Sequence, residues 1–101
     1  MTAYNRVNGV RSSANWESLN GILRGEWKYD GPVMTDWEVF SILPEEVAAG
    51  GDVKMPGQIT RSVLYQAEPY DLVETLRSGE LDRGAVLMAV KRILTFMSKF
   101  E

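Results

Sequence analysis

The chain has 101 residues, of which 45% are hydrophobic and 25% are charged, and its net charge is −3 at pH 7. This composition is typical of a folded globular chain, either one small domain or a piece of a larger one. The acidic balance disfavours a nucleic-acid partner. Because the sequence has neither cysteine nor histidine, it excludes disulfides, thiol nucleophiles, the common zinc sites and imidazole chemistry from this chain.

No apolar run approaches the roughly 20 residues that cross a bilayer. The first residues also lack the basic and apolar regions of a signal peptide. We therefore expect no membrane partner. We also expect no metal and no cofactor. The compartment stays open, because a piece of a longer protein can be separated from its signal.

The first part of the chain predicts a strand, a helix and a second strand. Residues 1–7 are compatible with a strand, and Asn8-Gly9 predicts a turn after it. Candidate helix N-caps follow at Ser12, Ser13 and Asn15. An apolar helix face comes next: Trp16, Leu19, Ile22 and Leu23. We expect Trp16 and Trp27 to be packing residues. The second strand is predicted from Pro32 to Thr35.

The second part predicts a short helix, a third strand and two further helices. Pro44 suits the start of the short helix, which Gly50-Gly51 ends, and residues 52–55 form the third strand. Residues 58–67 are interpreted as a loop, and Pro69 opens a helix that Gly79 caps. Asp82 caps the last helix. Its predicted buried stripe is Val86, Val90, Ile93, Leu94 and Met97.

This order of strands and helices indicates an α/β fold with parallel strands joined by right-handed crossovers. Three parallel strands make a poor free-standing sheet, since both edges stay open and parallel sheets need covering on both faces. The pattern therefore indicates that strands lie outside this sequence.

Asp36 is the candidate catalytic residue, since it follows a buried strand and precedes an indole, that of Trp37. A carboxylate at the C-terminal end of a strand is where barrel and open-sheet enzymes place their chemistry. From the pattern alone, however, an aspartate after a strand is more often an N-cap or a turn residue. Asp52 is interpreted as structural, and Glu45-Glu46 as a solvated helix start.

Several segments, in this order, carry a resemblance to a known family. They are Tyr4-Asn5, Asn8-Gly9-Val10, Ile22-Leu23-Arg24-Gly25-Glu26-Trp27, Asp30-Gly31, Val33-Met34-Thr35-Asp36-Trp37, Ala49-Gly50-Gly51-Asp52-Val53-Lys54-Met55-Pro56 and Val90-Lys91-Arg92-Ile93-Leu94. The ordered set resembles glycoside hydrolase family 3, and is most similar to its bacterial β-glucosidases.

The resemblance implies that residues 1–101 are a single fragment, the last three strand–helix units of a partial TIM-like barrel plus a C-terminal helix. It implies a retaining β-glycosidase that hydrolyses a β-linked glucoside or a related saccharide. Asp36 would be the nucleophile, Trp37 would line the entrance where the leaving group sits, and Tyr4 would lie in the sugar subsite. In that family the general acid/base usually comes from a following domain, so we expect the isolated chain to be inactive.

A second interpretation belongs to another class. The chain would be a non-catalytic remnant that self-associates or binds a partner, for instance as a homodimer through an open sheet edge or the bare inner face of the sheet. The sugar, the linkage and the oligomeric state stay open at this point.

Overall fold

The computed structural model of the chain describes residues 1–39, 42–57 and 71–101. Strands β1 (Arg6–Val7) and β2 (Val10–Arg11) precede a 3₁₀ helix (Ser12–Ala14) and a π-helix (Glu17–Glu26). Next come β3 (Met34–Trp37), α1 (Leu43–Ala48) and β4 (Val53–Met55). Two helices close the described chain, α2 (Leu72–Ser78) and α3 (Arg83–Ser98). The predicted loop 58–67 and the predicted helix start at Pro69 lie outside the described residues.

The parallel sheet has two strands where the sequence predicted three. Strand β3 pairs with β4 in parallel, with Met34 opposite Val53 and Trp37 opposite Met55. The predicted first strand contributes one ladder-like hydrogen bond, from the Thr2 amide to the Met34 carbonyl at 2.8 Å. The α/β class is confirmed. The prediction of three parallel strands is wrong for the described residues, because the predicted first strand does not join the parallel sheet.

The Asn8-Gly9 turn explains where the first strand goes. Asn8 and Gly9 have φ angles of 49° and 83°, the left-handed conformations that a tight hairpin turn requires. The turn pairs β1 with β2 in an antiparallel hairpin, Val7 opposite Val10. The backbone groups of residues 6–11 therefore bond to each other.

The helix ends largely follow their predicted signals. The Asn15 Oδ1 accepts a hydrogen bond from the Ser18 amide at 2.8 Å, at the start of the π-helix. Pro44 stands in the first turn of α1. The Asp82 carboxylate accepts from the Ala85 amide at 2.7 Å and begins α3, and Gly79 ends α2 in the left-handed conformation.

The core lies between the π-helix and the strand pair. Leu19, Val33 and Ala49 form a buried cluster, and Leu23 packs against it. The predicted packing of Trp16 and Trp27 is wrong, because their side chains are 62% and 72% exposed. Their part of the chain is a π-helix with a different residue spacing per turn from the α-helix that the pattern assumed.

The predicted buried stripe of α3 is wrong in phase. Ala89 is the buried residue of this helix, and Val86 and Ile93 are half-buried. Leu94 and Met97 are exposed, and Val90 is 44% exposed but also lines a cavity between the helices and the strands. A polar residue sets this orientation, because Arg92 turns towards the sheet and forms an ion pair there.

No helix within the three described ranges combines the length and the hydropathy that crossing a membrane requires.

Candidate active site

The structure places Asp36 near the C-terminal end of strand β3. It lies within β3, one residue further along than the predicted strand end, because the ladder with β4 continues to Trp37 and Met55. Thr35, just before it, is buried, and its Oγ1 accepts a hydrogen bond from the Met55 amide at 2.9 Å. This bond ties β3 to β4 within the register shift between Met34 and Trp37, and Asp36 follows the buried Thr35 as a half-buried residue.

The Asp36 carboxylate is half-buried and is held by the next peptide group. The Trp37 amide donates to Asp36 Oδ1 at 2.7 Å. After Trp37 the chain turns away, because Glu38 takes a φ of 50° and its amide donates to the Met55 carbonyl at 2.8 Å. Asp36 and Trp37 therefore stand at an open end of the strand pair.

Tyr4 joins this end of the sheet from 33 residues away. Its hydroxyl donates to the Trp37 carbonyl at 2.6 Å. Arg11 in the hairpin donates to the Tyr4 carbonyl at 3.1 Å and so ties Tyr4 to β2. The three residues predicted for the site are thus brought together, and Tyr4 contacts the backbone beside Asp36. The Trp37 side chain is 49% exposed and offers an open aromatic face.

Asp52 stabilises the opposite end of the strand pair. The Val33 amide donates to Asp52 Oδ2 at 2.7 Å, and Arg24 Nη2 lies 2.8 Å from the same oxygen. Arg92 Nε lies 2.6 Å from Asp52 Oδ1, and the carboxylate is fully buried. The prediction that Asp52 ties backbone amides structurally is confirmed.

Arg24 extends this anchor to two loops. It donates to the Gly31 carbonyl at 2.9 Å and to the Gly50 carbonyl at 3.0 Å. Burial lowers the pKa of Arg24 from its ordinary value, and the Asp52 carboxylate opposes that change. Arginine stays protonated nevertheless, since its ordinary pKa is far above neutral. The roles of Arg24 and Arg92 at Asp52 were not predicted from the sequence.

A second buried ion pair was also missed. Glu46, interpreted from the sequence as part of a solvated helix start, is 2% exposed, and that interpretation is wrong. Lys54 Nζ lies 2.6 Å from Glu46 Oε1 and joins β4 to α1. A lysine between the apolar Val53 and Met55 was the available signal, because a cation in a buried strand needs a partner charge.

Two further observations concern ligand binding: the position of a cavity and the search for metal ligands. A cavity of about 350 Å³ lies among the strands and helices, lined by residues such as Leu43, Val86 and Ile93. Asp36, Trp37 and Tyr4 do not line it. In the described part of the chain, no three His, Cys, Asp or Glu side chains cluster closely enough to hold a metal ion.

The chain is similar to known glycosidases over nearly its whole length. A β-glucosidase from Rhizobium radiobacter is 33% identical over 99 residues, which cover 98% of this chain and 11% of that protein. The structure of β-glucosidase 3B from Thermotoga neapolitana in complex with glucose superposes with a TM-score of 0.80 and 33% identity, over 92% of this chain and 13% of that one.

The name of a third similar protein states its family. The crystal structure of a Bifidobacterium adolescentis GH3 β-glucosidase matches with a TM-score of 0.73 and 28% identity, over 96% of this chain and 13% of that one. A scan against protein-family models found no match.

The fold and the comparisons show that the chain is similar to glycoside hydrolases. It belongs to glycoside hydrolase family 3 and is similar to the β-glucosidases of that family. It spans only about a tenth of the length of the relatives that it matches.

Proposed function

We propose that the chain is the nucleophile-bearing part of a retaining β-glycosidase that hydrolyses β-linked glucosides. One observation carries this proposal. Asp36 stands at the C-terminal end of a strand, held by Trp37 and next to Tyr4, in a chain whose relatives are β-glucosidases. The family 3 enzyme from Thermotoga neapolitana that shares this local fold was solved with glucose.

The geometry suits Asp36 for nucleophilic attack. The Trp37 amide holds Oδ1, so Oδ2 is the oxygen that we assign to attack the anomeric carbon. The glycosidic bond breaks, its electron pair leaves with the leaving oxygen, and a general acid protonates that oxygen. Water then cleaves the glycosyl ester with the same group acting as base. That second carboxyl group, about 5–5.5 Å from the nucleophile in retaining enzymes, would come from another part of the parent protein.

Tyr4 and Trp37 take supporting roles. The half-exposed indole of Trp37 gives an apolar surface against which a sugar ring or leaving group can stack. Tyr4 donates to the Trp37 carbonyl, so it holds the peptide beside Asp36 and presents its ring at the same end of the sheet. A rigid strand end with its neighbours fixed is what a nucleophile requires.

We place the segment in the C-terminal part of a TIM-like barrel domain of the parent, with β3–α1 and β4–α2 as two of its strand–helix units. The support is the parallel pairing of β3 with β4 and the helix that follows each of them. Active sites of such barrels lie at the C-terminal ends of the strands, where Asp36 stands.

A chimera tests the nucleophile. The matched segment of the Thermotoga neapolitana β-glucosidase would be replaced by this chain, and hydrolysis of nitrophenyl β-glucoside measured. We expect Asp36→Asn to lower kcat by about 10³-fold or more, because an amide has the carboxylate's shape but cannot form the glycosyl ester. Asp30→Asn, an exposed aspartate, serves as the matched control and leaves kcat unchanged.

Labelling separates the candidates in the same chimera. A mechanism-based fluoro-sugar should attach to Asp36, and mass spectrometry of the digest locates it. Attachment to Asp52, or an Asp36→Asn variant that keeps more than a few per cent of activity, would refute the assignment.

The isolated 101-residue chain provides a second test. We expect no measurable hydrolysis of the same substrate, because a catalytic set that lacks one member loses several orders of magnitude in rate. Turnover by the purified chain that Asp36→Ala abolishes would show that the chain holds a complete set.

A further inference from the structure

Lys54 is a buried cation that bonds to two different segments of the chain. Its side chain is 8% exposed, and its Nζ lies 2.6 Å from Glu46 Oε1 on α1. The same Nζ donates to the Val39 carbonyl, 3.4 Å away. Val39 is buried and lies two residues after the end of β3. Lys54 therefore connects α1 and β4 to the segment that follows the strand of Asp36.

The segment after β3 is bonded to β4 at two successive residues. The Glu38 amide donates to the Met55 carbonyl at 2.8 Å, and the carbonyl of the following residue, Val39, accepts from Lys54. Glu38 has a φ of 50°, in the left-handed region that is unfavourable for residues other than glycine. Such a conformation persists only where the surrounding structure holds it. The path of the chain away from Asp36 is thus fixed by bonds from β4.

Two linked peptide groups carry this restraint back to Asp36. The Trp37 carbonyl and the Glu38 amide belong to one peptide group, and both are hydrogen-bonded. The peptide group before it presents the Trp37 amide to Asp36 Oδ1 at 2.7 Å. Because peptide groups are planar and adjacent ones turn about a shared Cα atom, a shift of the segment after Trp37 rotates both groups and displaces the carboxylate.

We propose that Lys54, held in place by Glu46, is a positioning residue for the nucleophile. It acts through the backbone of residues 37–39 and not by contact with the sugar. This inference rests on the proposed role of Asp36. A displacement of about 1 Å at the reacting atoms can lower a rate about 100-fold. A buried ion pair adds little stability over two apolar side chains, so the bond to the Val39 carbonyl gives the ammonium a role that an apolar residue cannot take.

Two variants of the β-glucosidase chimera test this role. Lys54→Met removes the bond to the Val39 carbonyl, but it also takes the cation away from the buried Glu46 carboxylate and so lowers stability. Lys54→Met combined with Glu46→Gln removes both charges, which lifts most of that stability cost, while the bond to Val39 stays absent. For both variants we expect kcat on nitrophenyl β-glucoside to fall about ten- to a hundredfold and KM to change less than about twofold.

A matched control and a second readout accompany these variants. Lys91→Met changes an exposed lysine on α3 in the same way and should leave kcat unchanged. The rate at which the mechanism-based fluoro-sugar labels Asp36 reports the attack step alone, and it should fall by a factor similar to that of kcat. An unchanged labelling rate in the double variant would overturn the positioning role.

The thermal midpoint of each chimera distinguishes positioning from a merely structural pair. If kcat of the double variant recovers together with the midpoint, or if the double variant does not fold, the pair serves the fold and the proposal is wrong. Asp36→Asn separates this inference from the proposed function. If Asp36→Asn leaves kcat unchanged, the nucleophile assignment itself fails. If it abolishes hydrolysis while the double variant works at the unsubstituted rate, the positioning role alone fails.

Discussion

Two aspartates occupy opposite ends of the same strand pair, in contrasting environments. Asp52, just before β4, is fully buried and receives a backbone amide and two guanidinium groups. Asp36, near the end of β3, is half-buried and is held by the amide of its own neighbour. The same side chain thus stabilises the fold at one end and stands open to solvent at the other.

The contrast shows how to separate a structural carboxylate from one available for chemistry. A buried carboxylate with each oxygen bonded to a cation has no lone pair directed at a substrate, and removing it leaves buried charges without a partner. A carboxylate with one oxygen held and the other open can attack. In TIM barrels the C-terminal strand ends carry the chemistry and the N-terminal ends carry stability, and the role proposed for Asp36 agrees with this division.

The largest expected effect comes from a matched pair of isosteric changes, Asp52→Asn and Asp36→Asn. We expect Asp52→Asn to lower the free energy of unfolding by about 3–5 kcal/mol, because Arg24 and Arg92 would keep buried charges without a counterion. Asp36→Asn should stay within about 0.5 kcal/mol. Urea unfolding followed by circular dichroism measures both. Equal losses in the free energy of unfolding would show that the two carboxylates contribute equally to stability.

A smaller effect separates the two arginines that share Asp52. Arg92→Met removes the bond that ties α3 to the sheet, and we expect a loss of about 1.5–3 kcal/mol, typical of a hydrogen bond to a charged group. Arg24→Met should cost more, because Arg24 also holds the Gly31 and Gly50 carbonyls. Hydrogen exchange should show faster α3 amides in Arg92→Met. Unchanged exchange there would mean that α3 is held by its apolar contacts alone.

The smallest expected effect is at the surface pair of Asp30 and Lys99, whose atoms lie 2.7 Å apart. The hydrogen bond from Lys99 lowers the pKa of the Asp30 carboxyl below its ordinary value. Its stabilisation is therefore fully present above the ordinary carboxyl pKa and is lost as the pH falls through the lower folded value. Because both groups are exposed, Asp30→Asn should lower the urea midpoint only slightly at pH 7 and not at all at pH 2. A large loss at pH 7 would show coupling to the core.

Much of the local structure was predictable because it depends on neighbouring residues. The turn at Asn8-Gly9 and the caps at Asn15, Gly79 and Asp82 each follow from one side chain or one φ angle. The phase of α3 was not predictable from its apolar pattern. Its inward face is set by Arg92 meeting Asp52, 40 residues earlier in the chain.

The candidate site likewise combines residues that local sequence reveals with contacts that depend on distant parts of the chain. Asp36 and Trp37 are adjacent in sequence, and a strand followed by an acid made Asp36 a candidate, but only the family resemblance favoured catalysis over a turn or an N-cap. The family resemblance pointed to Tyr4, but its contact with the Trp37 carbonyl depends on how the hairpin folds. The buried pair of Glu46 and Lys54 depends on α1 lying against β4, and no local signal in α1 reveals it.

The two hydrogen bonds around Asp36 run through main-chain atoms of residue 37. Its amide holds the carboxylate, and its carbonyl accepts from Tyr4. The indole takes part in neither bond, so the side chain at this position can change without loosening the Asp36 carboxylate. Proline alone is barred, since it has no amide hydrogen. If Trp37 shapes the leaving-group side of the proposed site, position 37 is a point where substrate preference can evolve, or be engineered, independently of the catalytic step.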